Sequence, residues 1–177
     1  MTEAQRNFLN IEHETEDEFK GIAQKLFDCY AIQNHDSTFR IIEIEFYWTS
    51  PNHKDDSTYQ RKYVNPGQGE WFFHYSGVDI ALRNEETGGF GGILIRSIFD
   101  INAGINERKV YKGPMVCSMK LFSGTDVFTE SLKTKIIEYE FKESIIKNNK
   151  RIGLGKNANK SGTKNLNYNY SINPNDN

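Results

Sequence analysis

A single α+β domain, with a mainly antiparallel sheet flanked by a few helices, is what three features of this sequence predict. The chain has 177 residues, enough to close one core and too few for two comfortable ones. Its apolar residues recur at helical spacing near the start and then with period two or in short runs, the pattern of a helix followed by a β-meander. Aromatic residues make up 13% of the chain, with 12 Phe and 9 Tyr, which suits a β-rich core with large side chains to spare for a pocket.

Residues 1–14 read as an acidic N-terminal arm, carrying Glu3, Glu12 and Glu14. Thr15, Glu16, Asp17 and Glu18 form a capping box, and Phe19, Ile22, Ala23, Leu26, Phe27 and Tyr30 follow at helical spacing. One amphipathic helix is therefore expected over 15–31, with Cys29 on its apolar side. A polar turn from Asn34 to Ser37 leads into the strand Phe39 to Thr49, and Ser50 to Gly69, rich in Asp, Asn, Ser, Pro and Gly, reads as a long loop. Trp71 to Tyr75, Val78 to Leu82 and Gly92 to Ile101 form the meander, with the glycine cluster Gly88 to Gly92 as a turn. A short helix over Pro114 to Leu121, a strand over Lys135 to Phe141, and terminal strands near Arg151 to Leu154 and Asn167 to Ile172 complete a domain of residues 15–172. Residues 173–177 are expected to fray.

The strand Phe39 to Thr49 carries the chemistry. Side chains alternate along a strand, so Ile42, Ile44, Phe46 and Trp48 can bury while Glu43, Glu45 and Tyr47 share the opposite face. An aromatic beside two acids suits a pocket; the plainer alternative is a half-exposed strand with solvated glutamates. Arg96 interrupts the apolar run Ile93 to Phe99, and an arginine buried there needs a carboxylate partner, for which Glu43 and Glu45 are the candidates. His13, His35, His53 and His74 are scattered without ligand spacing, no phosphate-cradling loop occurs, and Cys117 reads as a packing residue. No metal and no organic cofactor is expected. The two cysteines are far apart, and no secretory core or long apolar run is seen, so the expectation is a soluble, intracellular, cytoplasmic protein without membrane contact. Net charge is only −2, but acids crowd the start while Lys147, Lys150, Arg151, Lys156 and Lys160 gather near the end. That cluster is a candidate contact for phosphates; ordinary surface lysine is the plainer alternative, because the overall charge lacks the strongly basic balance of a nucleic-acid binder.

The order of landmarks resembles the alkyladenine DNA glycosylase family, also called 3-methyladenine or methylpurine DNA glycosylases. The resemblance rests on the helix bearing Ile22 to Phe27, the arginine-led Glu-x-Glu-x-Tyr strand from Arg40 to Tyr47, and Pro66-Gly67 with Tyr75 nine residues after the proline. It continues through the apolar run Gly92 to Arg96, Gly113-Pro114 before a short helix, and Arg151 to Gly155 before a final aromatic strand. It implies a curved sheet and excision of a modified base from double-stranded DNA. Glu45 would be the general base that activates water, Glu43 its structural neighbour, and Arg96 the group that fixes the water and nearby backbone. Tyr47 and Phe72 would wall the base slot and Tyr75 would fill the gap that the flipped base leaves. His53 stands where the family has a base-stacking histidine, at a different spacing, and His74 is a further candidate for substrate contact. The shorter loop after Tyr47 and the missing purine-screening asparagine depart from the family and leave substrate choice open. A hydrolase or transferase acting on a small nucleoside-like ligand, and a non-catalytic nucleic-acid or partner-binding module, are the alternatives on the same scaffold.

Overall fold

The computed structural model of the chain describes residues 7–174 apart from 36, 105, 106, 108, 127, 129–132, 160 and 161. Helix α1 spans Glu16–Cys29 and opens as its sequence dictates: Thr15 is the N-cap and its hydroxyl accepts the Glu18 amide at 3.2 Å. The Glu18 carboxylate reaches back to the amides of Glu12, His13 and Glu14, which fixes the entering segment. That segment packs: Leu9 and Ile11 are buried in the core, so the acidic arm belongs to the domain from residue 7 onward.

Nine strands follow among the described residues: β1 Tyr30–Asn34, β2 Ser37–Thr49, β3 Trp71–His74, β4 Gly77–Asn84, β5 Gly89–Asp100, β6 Val110–Lys112, β7 Lys135–Glu138, β8 Lys147–Asn149 and β9 Asn169–Ser171. All pair antiparallel along the path β3-β4-β5-β2-β1-β7, with β6 on β5 and β9 on β2. Strands β2 and β5 are long enough to change partner midway. One edge of β2 pairs first with β1 and then with β9, and one edge of β5 pairs first with β4 and then with β6. A sheet whose central pair splits its edges in this way curls instead of lying flat.

Phe19, Ile22, Ala23, Leu26 and Phe27 of α1 bury against one face, where Phe19 stacks on Phe46 at 5.0 Å. Each such large apolar side chain contributes about 1.5–3 kcal/mol by leaving water. Cys117 and Leu121 of helix α3, Pro114–Leu121, join the same core cluster, and the other face of the sheet holds Glu43, Glu45 and Tyr47.

Several expectations are corrected. The first helix stops at Cys29, which is exposed, because Tyr30 turns extended and begins a hairpin strand that pairs with β2. The long loop contains a short helix, α2, Tyr59–Val64. The glycine cluster is not a turn from end to end: Gly89, Gly91 and Gly92 lie in β5, where a Cβ on Gly91 would stand 1.9 Å from the Tyr47 carbonyl oxygen. Arg151 to Leu154 is not a strand, since the Ile152 amide is spent on a carboxylate and not on a ladder; the short strand β8 precedes it. The strand expected to reach Phe141 ends at Glu138. Of the tail expected to fray, residues 173–177, only Asn173 and Pro174 are among the described residues; 175–177 lie outside them.

Gly91→Ala tests the close approach of β5 to β2. A methyl there meets backbone, which cannot rotate away, so we expect a loss of at least about 2 kcal/mol in urea unfolding, or no folded protein. Gly155→Ala, with open space around it, serves as the control and should stay near wild type.

Candidate functional site

Two compensating irregularities between β2 and β5 set the site. Ile41 pairs with Ile98, Glu43 with Ser97 and Ile44 with Ile95, so Ile42 is the extra residue on β2 and Arg96 the extra residue on β5. A bulged residue is re-aimed relative to its neighbours. Arg96 and Ser97, consecutive in sequence, therefore both reach the carboxylates of β2: Arg96 Nη1 donates to Glu45 Oε2 at 3.0 Å, and the Ser97 hydroxyl donates to Glu43 Oε2 at 2.6 Å. Arg96 Nε also lies 3.4 Å from Glu43 Oε1.

Glu45 is fully buried and holds four donors. Oε1 accepts from the Ile152 amide at 2.7 Å and from Asn169 Nδ2 at 3.2 Å; Oε2 accepts from Arg96 and from the Tyr47 hydroxyl at 2.9 Å. Two oxygens offer about four lone-pair sites, and all four are taken. Burial and the neighbouring Glu45 charge push the Tyr47 phenol well above its ordinary pKa, so its hydroxyl stays protonated and donates.

In front of Tyr47 and Arg96 opens a cleft of about 340 Å³. Besides these two it is bordered by Arg61, His74, Tyr75 and the segment Ile152 to Gly155. Arg61 of α2 reaches in over the Tyr47 ring, 4.5 Å from its centroid, and pairs with the fully buried Asp79 of β4. Gly92 leaves the room: a Cβ there would sit 2.7 Å from Asp79 Oδ2 and 2.8 Å from Arg61 Nε. The other Asp79 oxygen meets His74 Nε2 at 3.1 Å, while His74 Nδ1 takes the Ser76 amide at 3.3 Å. With Nδ1 accepting, Nε2 carries the proton and donates.

Behind the cleft, Arg151 Nη1 donates to Asp55 Oδ2 at 2.6 Å and to the Phe46 carbonyl at 3.1 Å, and its Nη2 donates to the Thr163 carbonyl. Burial alone would raise the Asp55 carboxyl, but the hydrogen bond and charge of Arg151, with the Ser57 amide and Thr163 hydroxyl, hold it below its ordinary value.

The structure brings Tyr47, His74, Tyr75 and Arg96 to one cleft with Glu45 directly beneath. Tyr75 is 75% exposed at the β3–β4 turn. Phe72 is not on the cleft; it is buried behind it, stacked on His74 and facing Arg61. His53 lies elsewhere, bonded to the Trp48 carbonyl and the Tyr168 hydroxyl beside Phe19. Arg151 is removed from the expected basic surface, since its side chain is wholly buried on Asp55; Lys147, Lys150 and Lys156 are exposed, and Lys160 lies outside the described residues. Sequence reasoning missed Arg61 and Asp79. Asp79 carried a signal, a carboxylate interrupting the apolar run Val78 to Leu82, which demands a partner. Among the described residues no group of His, Cys, Asp and Glu could hold a metal ion, and no helix is long and apolar enough to cross a membrane.

No protein-family model matches the chain. An uncharacterised protein of Acanthamoeba polyphaga mimivirus is 30% identical over 140 residues, an alignment that takes in 64% of this chain and 58% of that protein. The chain thus spans less than two thirds of this curated relative's length.

The Arg151–Asp55 pair has a pH signature. Asp55 titrates lower in the folded chain than unfolded, so its contribution is present above the ordinary carboxylate value of about 4 and is lost as pH falls through the depressed folded value. Melting curves from pH 7 down to 2 should show Asp55→Asn flatter than wild type below about pH 4. The variant should also be less stable at pH 7 by about 3–5 kcal/mol, because Arg151 is left buried without its charge partner.

Proposed function

We propose that the cleft admits a nucleobase and that the chain hydrolyses the N-glycosidic bond joining that base to its sugar, with modified double-stranded DNA as the expected substrate. The reading is carried by the convergence of Tyr47, His74, Tyr75 and Arg96, from three strands and a turn, on one cleft above a buried glutamate. Volumes near 340 Å³ lie in the range of small-ligand sites. Tyr47 is an edge-anchored aromatic wall: its hydroxyl is tied to Glu45, and two guanidinium groups, Arg61 and Arg151, lie within 5 Å of its ring centroid. The exposure of Tyr75 supports a stacking role in the space a flipped base vacates, worth about 1–3 kcal/mol per stacked base. Lys147, Lys150 and Lys156 supply exposed positive charge for phosphates. The glycosylase-type scaffold suggested by the order of landmarks belongs to this proposal.

Glu45, to which the resemblance assigns water activation, holds the charge that fixes Arg96 and Tyr47. A water reaches its oxygens only by displacing one of four donors. That saturation favours a second reading, a site that binds a nucleoside-like group without cleaving it.

Release of free base from duplex oligonucleotides carrying alkylated, deaminated or etheno purines decides between them. Wild type should release base, and Glu45→Gln should lower kcat/KM at least about 100-fold, because an amide cannot accept from all four donors and the groups that line the cleft lose their fixed charge partner. Salt-sensitive DNA binding without release selects the second reading. Neither release nor binding rejects both.

A further inference from the structure

The glutamate to which the glycosylase resemblance gives water activation is closed, and the one beside it is open. The Glu43 side chain is 24% exposed against 0% for Glu45. Each Glu43 oxygen accepts one hydrogen bond: Oε2 from the Ser97 hydroxyl, Oε1 from Asn169 Nδ2 at 3.0 Å, with Arg96 Nε beside Oε1. Oε2 therefore keeps an acceptor site that no group among the described residues fills. Glu43 lines a second cleft of about 620 Å³, which shares Ile152 with the first.

The walls of this second cleft are hydroxyl and amide groups: Ser97, Asn149, Asn169 and Ser171, with Lys112 at one side and the apolar flanks Ile42 and Val110. Paired donors and acceptors beside small apolar surfaces suit a sugar ring, whose hydroxyls need both and whose C–H faces need neither.

We propose that this cleft binds the sugar side of the ligand and that Glu43 takes the proton from the attacking water. The inference rests on the N-glycosidic reading above. In the step, Glu43 Oε2 accepts a proton as the water oxygen forms its bond to the anomeric carbon. The carbon–nitrogen bond breaks, and its electron pair leaves with the base nitrogen, which is protonated by solvent; Glu43 then returns its proton to solvent. Arg96 holds Glu43 and Glu45 at once, so the open carboxylate has a fixed position and its charge can also stabilise the cationic sugar of the transition state. Glu45 is the positioning residue.

Two measurements on Glu43→Gln and Glu45→Gln test this. In the base-release assay, Glu43→Gln should lower kcat by about 100-fold or more, with KM and melting temperature near wild type. Glu45→Gln should instead lower the melting temperature and raise KM, because it loosens Arg96, Tyr47 and Ile152 together. In a binding titration, a protonated pyrrolidine azasugar, a mimic of the cationic sugar, should bind wild type and lose at least about tenfold in affinity in Glu43→Gln. Release that survives in Glu43→Gln but vanishes in a well-folded Glu45→Gln overturns the inference and leaves the glycosidic reading standing. Release with no azasugar binding by wild type overturns the sugar site. If no substrate releases base and the azasugar does not bind, both fall; azasugar binding that depends on Glu43 without release keeps the sugar site and rejects hydrolysis.

Discussion

Everything in this fold that bears on chemistry hangs on one buried negative charge. A carboxylate removed from water loses several kcal/mol of solvation, and only donors with good geometry repay it. Glu45 has them from four parts of the chain: the strand that carries it through Tyr47, its neighbour β5 through Arg96, β9 through Asn169, and the segment after β8 through the Ile152 amide. The pairing of β2 with β9 and the course of residues 151–155 are thereby fixed by the same charge that fixes the cleft. The fold and the site cannot be separated at this point.

The same device recurs twice around Tyr47. Arg61 closes on Asp79 and Arg151 on Asp55, each pair buried, and both guanidinium groups lie against the Tyr47 ring. Three arginine–carboxylate pairs around one aromatic ring leave it little freedom, and a network of satisfied polar groups in a low dielectric is stiff. Stiffness of this kind is what a binding site needs if the ligand is not to provide the ordering itself. The arrangement also sorts charge, since Arg61, Arg96 and the imidazole of His74 line the cleft while Glu45, Asp79 and Asp55 are not among its lining residues. A ligand there meets mostly donors, so it must bring acceptors.

Much of this was readable in the chain. The capping box set the start of α1, the alternation in Phe39 to Thr49 placed Glu43, Glu45 and Tyr47 on one face, and Arg96 in an apolar run announced a buried ion pair. What was not readable has specific causes. The strand Tyr30–Asn34 is five residues directly abutting a helix, and Tyr30 also fits the helical period, so nothing local marks the switch. The α2 helix is a single short element among turn formers, and its Arg61 matters only because tertiary structure carries it to Asp79. His53 looked like a ligand contact because histidine in a polar loop is ambiguous, and its two ring nitrogens are in fact consumed by Trp48 and Tyr168. The run from Arg151 to Leu154 has strand-like composition, but one amide given to a carboxylate across the fold is enough to remove it from the sheet.

The least readable feature is also the one that separates the two glutamates. Two residues apart on a regular strand, Glu43 and Glu45 would have had equivalent surroundings. The paired bulges at Ile42 and Arg96 break that equivalence: they bring Ser97 opposite Glu43 and swing Arg96 between the two carboxylates. Beyond the bulge β2 keeps β9 on its other edge, so Asn169 donates to both acids while only Glu45 also receives Ile152 and Tyr47. One acid ends with every lone pair taken and the other with an oxygen still open. No periodicity in the sequence encodes that difference, because a bulge is a property of two strands in register and neither strand carries it alone.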